Sequence, residues 1–463
     1  MEVASLDLTG KRVVVVGLGL SGIAACRLLM KRGAKVVATD SKKPEAAGDD
    51  VKALERDGAT LVLGGHAAAK LTEADLIVVS PGVPSFPELE AASHAGVPIW
   101  GEVELAVRAV NASAEAAGRK PPRVVAIGGT NGKSTVTSLV GALLERAGLR
   151  TFIGGNLGEP LAAHADEAFD AVVLEVSSFQ MERVDAFHPE ISVLLNVTPD
   201  HLDRYADEAG YASAKGNAFV RQTTSDVAVV PEGDEVCKVQ ANRGQGRVVT
   251  FGPAGNVDVR ADAVVDHRAR VTYPRKSFGL QGGHNALNVA AAVAAIGPFA
   301  LDPLVVQEVL EGFRGLPHRM VLVRNRAGVR WYDDSKGTNV GASVTAVRGV
   351  VEERVVLIAG GRDKGGSYGP LVDALREKGR AAILIGEAAP LIRDAIGDVV
   401  PVNVATSMAD AVRIAAELAQ PGDAVLLSPA CSSFDMFRDY KERGDVFVNA
   451  VLALPAAPGE SSS

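Results

Sequence analysis

The stretch GGTNGKST at residues 128–135 directly follows the apolar run Val124–Ile127. An apolar strand that runs into a glycine-rich loop ending in Gly-Lys-Ser is typical of a phosphate-binding loop, whose backbone N–H groups face the phosphates. In such a loop Lys133 would reach the terminal phosphates and Ser134 would hold Mg²⁺. The loop is one residue shorter than the usual pattern, and a chance Gly-Lys-Ser is the alternative. The flanking strand favours ATP binding.

Length and composition indicate a globular protein of several domains. The chain has 463 residues, of which 47% are hydrophobic and 22% are charged, and its net charge is −8. Length alone suggests about three domains. The sequence contains no block of Lys and Arg, so we expect no nucleic-acid partner and no membrane partner.

Cysteine usage and the first residues favour a cytoplasmic protein. Cys26, Cys237 and Cys431 lie far apart and are odd in number, which fits a reducing compartment better than disulfides. The opening MEVASLDLTG lacks a basic segment followed by an apolar one, so we expect no secretion signal. The Ala-rich stretch Val289–Leu301 is shorter than the roughly 20 residues that span a bilayer, and it predicts a buried helix.

Short runs of Val, Ile and Leu recur along the chain and alternate with helical segments such as Ile23–Lys31 and Val136–Arg146. Continuous apolar runs suit strands that are buried on both faces of a parallel sheet. We therefore predict an α/β protein with more than one sheet. A polar, Ala- and Gly-rich linker is predicted at Asn111–Pro122, and a second boundary is predicted at the segment RGLPHR, residues 314–319.

A second glycine-rich turn lies near the start of the chain. Gly17–Gly22 reads G-x-G-x-x-G between a predicted strand and helix, and Asp40 ends the next strand. This is a dinucleotide-binding fingerprint, with Asp40 on a ribose hydroxyl. Any nucleotide diphosphate, including a UDP-sugar, could use the same cradle, and a purely structural turn is the alternative. Ser80-Pro81-Gly82 also ends a strand, where α/β sheets bind ligands.

Polar residues follow the strands of the central segment. Glu175 ends one apolar run, Asp200 and His201 follow another, and Lys215 comes later. An acid at a strand end beside a phosphate loop can ligate Mg²⁺. Each residue also has a structural interpretation, because such carboxylates often cap helices, lone histidines often make structural hydrogen bonds, and lysines are usually solvated.

Eight sequence blocks resemble the Mur ligase family, ATP-dependent amide ligases of peptidoglycan synthesis. The blocks fall in order and span nearly the whole chain: GGTNGKST at 128–135, GGNLG at 154–158, EVSSFQ at 175–180, NVTPDHLDRY at 196–205, GGHNALN at 282–288, GLPHRM at 315–320, DDSKGTN at 333–339 and SPACSSFD at 428–435. The resemblance implies three α/β domains. They are a Rossmann-like UDP-sugar-binding domain at 1–112, a central P-loop mononucleotide-binding ATPase domain at 120–316 and a Rossmann-like amino-acid-binding domain at 317–455.

Within the family, the segments GLGLSG, SSFQ, DSKGTN and SPACSSFD point to the member that adds D-glutamate to the L-alanine carboxyl of UDP-N-acetylmuramoyl-L-alanine. The implied reaction passes through an acyl phosphate, which the amine of glutamate attacks. The implied partners are ATP and these two substrates, for an enzyme that acts as a monomer in cell-wall synthesis.

The resemblance also implies the ATP and metal site, with two Mg²⁺ ions. Lys215 would be carbamylated by CO₂, which turns a cation into a carboxylate that can bind a metal. The implied metal ligands are Ser134, Glu175, His201 and carbamylated Lys215, and the implied catalytic residues are Lys133, Glu175, His201 and Lys215. The implied ATP-binding residues are Gly129, Thr130, Asn131, Gly132, Lys133, Ser134, Thr135, Asn285, Asn288, Arg319 and Asp334. His201 is also a candidate base, although it cannot accept a proton while the same nitrogen holds a metal.

Two further sets of residues would bind the substrates. The implied UDP-substrate residues are Leu20, Ser21, Asp40, Ser41, Gly82, Asn156, Ser177 and Gln180. The implied D-glutamate residues are Lys336, Thr338, Lys364, Ser433 and Tyr440. Two lysines suit an amino acid with two carboxylates. The family member that this chain resembles most in these blocks has Phe at the position aligned with Tyr440, so this chain adds a hydroxyl there.

Three alternative functions remain at this point. Another Mur-type ligase or a folylpolyglutamate-type ligase would share the central domain, although the folate enzymes lack the G-x-G-x-x-G domain. An NAD-dependent oxidoreductase would use the first domain and leave the phosphate loop idle. A nucleotide-gated scaffold would need the loop without Glu175, His201 and Lys215.

Overall fold

The computed structural model describes residues 6–201, 204–280, 282–365 and 367–456. Residues 1–5 of the predicted first domain, and Leu202 and Asp203 of the NVTPDHLDRY block, lie outside this range. The chain forms two compact units, and each is described by itself. One takes in the described residues up to 197, 211–278 and 287–313, and the other takes in those of 198–210, 279–286 and from 314 onward. No helix among the described residues is long and apolar enough to cross a membrane.

The first sheet is fully parallel and has five strands in the order β3-β2-β1-β4-β5. Every residue of β4 and all but the first of β1 are buried, as predicted for strands covered on both faces. The strands are β1 (Arg12–Val16), β2 (Lys35–Asp40), β3 (Thr60–Leu63), β4 (Leu76–Val79) and β5 (Ile99–Gly101), and the helices are α1 (Leu20–Lys31), α2 (Asp49–Arg56), α3 (Pro87–His94) and α4 (Glu102–Ala116).

The second sheet has nine strands in the order β14-β13-β12-β11-β10-β9-β6-β8-β7, and only β12–β13 and β13–β14 are antiparallel pairs. The strands are β6 (Arg123–Gly128), β7 (Thr151–Gly155), β8 (Ala171–Glu175), β9 (Ile191–Leu194), β10 (Val227–Pro231), β11 (Arg247–Gly252), β12 (Val257–Val259), β13 (Ala263–Asp266) and β14 (Val271–Pro274). The helices are α5 (Lys133–Arg146), α6 (Ser178–Met181), α7 (Glu208–Gly216), α8 (Glu235–Ala241), α9 (Gly283–Ile296) and α10 (Pro303–Gly312). The C-terminal half of α9 is the buried helix that the Ala-rich stretch predicts.

The third sheet has six strands in the order β15-β16-β20-β17-β18-β19, and it is parallel except for the β15–β16 pair. The strands are β15 (Val321–Arg326), β16 (Val329–Asp333), β17 (Val355–Gly360), β18 (Gly379–Ile385), β19 (Val402–Val404) and β20 (Ala424–Leu427), and the helices are α11 (Val340–Gly349), α12 (Gly369–Lys378), α13 (Ala389–Ile396), α14 (Met408–Leu418) and α15 (Tyr440–Leu452).

The predicted linker at Asn111–Pro122 is partly wrong. Helix α4 continues through Ala116, so the first half of this segment is helical. Its sequence NASAEA is polar but contains three alanines, and Ala has the highest helix propensity of any residue. The connection that does lack helix and strand, 117–122, is half as long as predicted.

Two buried carboxylates join α4 of the first sheet layer to the central sheet layer. Glu104 accepts hydrogen bonds from Arg108 Nε and from the backbone N–H groups of Asp185 (2.9 Å) and Ala186 (3.1 Å). Glu102 is also buried and accepts one from the N–H of Ala162 at 3.2 Å. Burial raises the pKa of Glu102 from its ordinary value of 4.5 to about 7. Glu104 thus accepts from three donors, whereas Glu102 accepts from one.

We predict that Glu102→Gln stabilises the protein at high pH. A carboxyl whose pKa is raised by folding keeps its proton in the folded state, so the wild type loses stability as pH rises from about 4.5 to about 7. Above about pH 8 the difference would approach 3 kcal/mol, and near pH 4.5 it would vanish. Thermal unfolding across this range measures the effect.

The matched control is Glu115→Gln, which removes an exposed carboxyl from the same helix and should leave the pH profile unchanged. A Glu102→Gln protein that unfolds at the wild-type temperature at every pH would contradict the prediction.

Candidate active site

The predicted phosphate loop lies between β6 and α5. Gly129 and Gly132 have φ values of +144° and +84°, which residues with a side chain rarely adopt. A Cβ atom at Gly132 would lie 2.6 Å from Asn288 Oδ1, so Asn288 contacts this loop. Ser134 and Thr135 are buried in the first turn of α5. The loop thus has the backbone shape that phosphate binding requires, at the N-terminus of a 14-residue helix.

Asn196 holds the phosphate loop, a role that the sequence analysis did not predict. Its Oδ1 accepts hydrogen bonds from the N–H groups of Thr130 (3.1 Å) and Asn131 (2.9 Å), and its Nδ2 donates to the carbonyl of Asn131 at 3.1 Å. The residue opens the NVTPDHLDRY block just beyond β9. Its contacts join positions 65 and 66 residues apart, which no local pattern reveals.

Lys215 is buried and reaches the same loop from α7. Its Nζ donates to the carbonyl of Gly129 at 2.8 Å and lies 4.4 Å from the centre of the Tyr211 ring. The Tyr211 hydroxyl lies 3.3 Å from Thr130 Oγ1. The interpretation of Lys215 as a solvated surface lysine is therefore wrong, because the turn of chain after β9 brings α7 under the loop. Lys133 Nζ donates to the carbonyl of Thr130 at 2.8 Å.

Glu175 ends β8, the strand beside β6, and is 3% exposed. Its Oε1 accepts a hydrogen bond of 2.8 Å from Nδ2 of Asn156, which follows β7. Within the part of the chain that the structure describes, no three His, Cys, Asp or Glu residues form a cluster that could hold a metal ion. A hydroxyl and one carboxylate beside a phosphate loop nevertheless fit Mg²⁺, which commonly binds through one or two protein oxygens plus phosphate oxygens and water.

His201 has a φ of +55°, a left-handed conformation that is uncommon for a residue with a side chain. Its neighbour Asp200 is buried and accepts a hydrogen bond from Asn339 Nδ2 at 3.2 Å, with Lys364 Nζ 3.8 Å from its other oxygen. His201 Nε2 lies 3.7 Å from Asp200 Oδ2. Asp200 thus pairs with side chains of the third sheet layer. Its alternative role as a cap of the following turn depends on Leu202 and Asp203, which lie outside the described residues.

The first-sheet cradle is tightly constrained around Gly17–Gly22. A Cβ on Gly22 would lie 1.9 Å from the carbonyl oxygen of Gly17, so only glycine fits. Asp40 accepts hydrogen bonds from the N–H groups of Leu18 (2.7 Å) and Lys42 (2.9 Å), one on each carboxylate oxygen. Ser80 Oγ donates to the carbonyl of Gly17 at 2.7 Å. Asp40 therefore shapes the turn, besides the ribose contact predicted for it.

A cavity of about 830 Å³ opens over this cradle. It brings together seven of the eight predicted UDP-substrate residues: Leu20, Ser21, Asp40, Ser41, Gly82, Asn156 and Gln180. The eighth, Ser177, caps α6 and exchanges hydrogen bonds with Gln180. The cavity is also lined by a residue pair that the sequence did not reveal, because the His66 ring stacks on Phe86 with centroids 4.4 Å apart.

The second unit carries a polar site at the carboxyl ends of β16, β17 and β20. Asp334 is buried and accepts a hydrogen bond from Ser428 Oγ at 2.8 Å, and Arg319 Nη1 lies 3.9 Å from Asp334 Oδ1. Burial raises the pKa of Asp334 to about 6. Asp334 Oδ1 and Arg319 Nε make no hydrogen bond with any residue that the structure describes. These two buried polar atoms therefore have unused hydrogen-bonding capacity, and the predicted role of both residues in nucleotide binding stays a prediction.

Four of the five predicted glutamate residues lie on the loops that follow β16, β17 and β20, and Tyr440 begins α15. Lys336 Nζ donates to the Tyr440 hydroxyl at 3.1 Å and lies 4.5 Å from the centre of its ring. Ser433 is 2% exposed and Thr338 is half-buried. The Tyr440 hydroxyl thus contacts Lys336. Asn285, which is also predicted to bind ATP, is half-buried in the first turn of α9.

Three family models match the chain in order. A MurD-like Mur ligase N-terminal domain matches residues 11–101, a Mur ligase middle domain matches 127–296, and a Mur ligase glutamate ligase domain matches 318–431. The chain belongs to the Mur ligase family. The predicted family and the predicted fold of three α/β domains are confirmed, while the predicted domain boundaries stay predictions.

Relatives align over almost the full length. The chain is 44% identical to the UDP-N-acetylmuramoylalanine–D-glutamate ligase of Desulfosudis oleivorans, with 97% of this chain and 98% of the relative covered. It is 42% identical to the enzyme of that name in Geobacter metallireducens, with 97% and 99% covered.

Solved structures of the family share the fold at low sequence identity. The UDP-N-acetylmuramate-alanine ligase MurC of Thermotoga maritima has a TM-score of 0.58 at 20% identity, covering 96% of this chain and 99% of that one. The MurF ligase of the same organism, solved with ADP, has a TM-score of 0.59 at 16% identity, covering 90% and 93%.

We predict that Gly132→Ala weakens nucleotide binding by about tenfold or more. The new Cβ would add roughly 1–2 kcal/mol of left-handed backbone strain and would press on Asn288, so the loop would shift. Titration with a fluorescent ATP analogue measures the change.

Gly148→Ala is the matched control. Gly148 follows the other end of α5, has a φ of +85° and would place its Cβ in open space. The same backbone strain should lower the unfolding temperature of this variant and leave nucleotide affinity unchanged. Equal affinity losses in both variants would mean that strain in α5, and not the contact with Asn288, is responsible.

Proposed function

We propose that this protein is an ATP-dependent amide ligase that joins D-glutamate to the L-alanine carboxyl of UDP-N-acetylmuramoyl-L-alanine. The observation that carries the proposal is that relatives named for this reaction are 44% and 42% identical over 97% of the chain. The product would be a precursor of peptidoglycan.

The chemistry explains why such an enzyme needs a phosphate loop. A carboxylate is a poor acylating agent at neutral pH, because its leaving group would be oxide. Transfer of the γ-phosphoryl group to the carboxylate gives an acyl phosphate and ADP. The amine of glutamate then attacks the carbonyl carbon, and inorganic phosphate leaves. Lys133 would stabilise the charge on the transferred group from the loop.

The large cavity over the glycine cradle supports the nucleotide-linked acceptor. A UDP-sugar is large, and the cavity of about 830 Å³ has a peptide-lined cradle at Gly17–Gly22 and polar side chains from the central sheet. In this proposal the cradle binds the diphosphate, while Asn156 and Gln180 position the muramoyl-alanine end. Ser177 acts by capping α6 and orienting Gln180.

The central site would bind the triphosphate and Mg²⁺. The loop 129–135 would hold the phosphates, and Ser134 and Glu175 would hold the metal, with His201 and a carbamate on Lys215 as further ligands. Bound Mg²⁺ would offset the negative charge of the phosphate oxygens. The half-buried Asn285, the Asn288 contact with the loop and the open polar atoms of Arg319 and Asp334 support their predicted roles in nucleotide binding.

The loops of the third sheet would bind the amino acid. Lys336 and Lys364 can each pair with one carboxylate of glutamate, while Thr338, Ser433 and Tyr440 supply hydroxyl groups. Lys364 lies 3.8 Å from Asp200, so it would exchange this pairing for, or share it with, the substrate carboxylate. His201 stays a candidate for either the metal or the amine proton.

A folylpolyglutamate-type ligase is the nearest alternative function. The Mycobacterium tuberculosis folylpolyglutamate synthase has a TM-score of 0.56 at 17% identity, which concerns the fold alone, and it covers 74% of this chain. The MurD-like match of residues 11–101 favours the UDP-linked acceptor. An NAD-dependent oxidoreductase is disfavoured, because such an enzyme would not need the phosphate loop. We further propose that the enzyme acts in the cytoplasm as a monomer, since one chain supplies every proposed ligand residue.

We expect the purified protein to release phosphate from ATP only when Mg²⁺, UDP-N-acetylmuramoyl-L-alanine and D-glutamate are all present. The assay compares D-glutamate with L-glutamate, D-alanine, L-lysine and no amino acid, and mass spectrometry identifies the product. Release with another amino acid would keep the mechanism and change the substrate, whereas no release with any of them would overturn the ligase proposal.

A second prediction concerns Lys215 and CO₂. An ammonium group cannot ligate Mg²⁺, whereas attack of the neutral amine on CO₂ forms an N–C bond and, with loss of one proton, leaves a carbamate that can. Removal of CO₂ and bicarbonate should therefore lower activity and bicarbonate should restore it. Lys215→Ala should lose at least about a hundredfold in kcat.

Lys378→Ala is the control for this lysine. Lys378 Nζ also donates to a carbonyl, that of Val350 at 2.6 Å, but it lies on α12 in the other compact unit and is not among the proposed ligand residues. Its loss should leave kcat and the bicarbonate response unchanged. A ¹³C-bicarbonate NMR spectrum without a carbamate signal, together with full activity in CO₂-free buffer, would refute the carbamate.

A further inference from the structure

Arg443 is the one arginine among the described residues whose side chain is fully enclosed, with 0% of its surface exposed. It lies in the first turn of α15. Its guanidinium donates three hydrogen bonds: Nε to Ser335 Oγ at 3.1 Å, Nη2 to the Ser335 carbonyl at 2.8 Å and Nη1 to the Cys431 carbonyl at 3.2 Å. Within the described chain none of these bonds goes to a carboxylate. Enclosing a cation is expensive, and the neighbouring carboxylates that favour its charge, among them Asp435, accept none of these three hydrogen bonds, so this arrangement calls for a reason.

The three bonds join the two loops that follow the neighbouring parallel strands β16 and β20. Ser335 lies on the loop 334–339 and Cys431 lies on the loop 428–435. Two further contacts tie the same elements together, since Ser335 Oγ donates to the Tyr440 carbonyl at 2.7 Å and the N–H of Ala430 donates to the Gly337 carbonyl at 3.0 Å. The guanidinium thus sets the distance between the two loops.

These loops carry side chains that the proposed function assigns to the amino acid. Lys336 follows Ser335 directly, and Ser433 is two residues beyond Cys431. Both anchor residues are themselves buried, so a shift of either one must move its neighbour. Burial lowers the pKa of Arg443 to about 10, which keeps the group charged at neutral pH.

We propose that Arg443 is a positioning residue for the amino-acid substrate: it fixes the spacing of the 334–339 and 428–435 loops and thereby aligns Lys336 and Ser433 with the substrate carboxylates. The inference rests on the proposed amino-acid site and extends it to a side chain that does not touch the substrate. The planar fork of arginine is essential to the role, because a lysine ammonium cannot span the three acceptors in the same geometry.

The test is a KM-against-kcat comparison in the complete ligase reaction with Arg443→Lys. We expect the KM for the amino acid to rise roughly tenfold to a hundredfold, while the KM values for ATP and for the UDP-linked substrate stay within about twofold. Ser335→Ala removes one of the acceptors and leaves the guanidinium in place. It should raise the same KM by a smaller factor and is the variant to use if Arg443→Lys does not fold.

Arg324→Lys is the matched control. Arg324 also donates to backbone carbonyls at α15, those of Val451 (3.1 Å) and Leu454 (2.8 Å), but at the far end of the helix. A merely structural role for Arg443 would give both arginine variants the same pattern, namely a lower unfolding temperature with all three KM values unchanged or rising together. That result would overturn the proposal.

The variants are compared using whichever amino acid supports phosphate release by the wild type. Failure of the proposed function would show in the wild type, as a preference for an amino acid other than D-glutamate or as no release. Failure of the positioning role would show only in the comparison of Arg443→Lys with Arg324→Lys. For a wild type without ligase activity, the proposal fails together with the site on which it rests.

Discussion

The loop at 129–132 must present its peptide N–H groups to a phosphate while its own backbone is held still. Glycines supply the shape, but glycines alone would leave the loop mobile, because they have the largest conformational entropy to lose. Asn196 holds one side through three hydrogen bonds, and Lys215 holds the other through the Gly129 carbonyl. The central sheet layer positions both side chains, since Asn196 follows β9 and Lys215 lies on α7.

The glycine turn of the first sheet is also held rigid by side chains, although by different residue types. The Gly17–Gly22 turn is fixed by Asp40 and Ser80, which occupy the loop's own N–H and carbonyl groups. Glu104 and Glu102 then attach this domain to the central one through backbone N–H donors. Preorganisation of both cradles reduces the ordering that a ligand must impose, which is how rigid sites gain affinity.

Sequence reasoning identified what local patterns encode. The two glycine turns and the buried strands are each contained within a few residues, so the composition of a short window reveals them. Asn196, His66 and Arg443 were missed, because their roles depend on partners between 12 and 108 residues away. Glu102 could not be distinguished from an exposed first-turn carboxylate, since only the packing of another segment buries it. The linker error at Asn111 arose because a polar segment can still favour helix.

The three thiols have a consequence for experiment. Cys26, Cys237 and Cys431 are all buried, and burial raises their pKa, to about 12 for Cys26 and about 11 for Cys431. Thiolates, the species that react with alkylating reagents, are therefore scarce in the folded protein at neutral pH. The native cysteines should therefore react little with thiol-specific labels. One surface cysteine engineered into each unit could carry a spectroscopic label without prior replacement of the native cysteines.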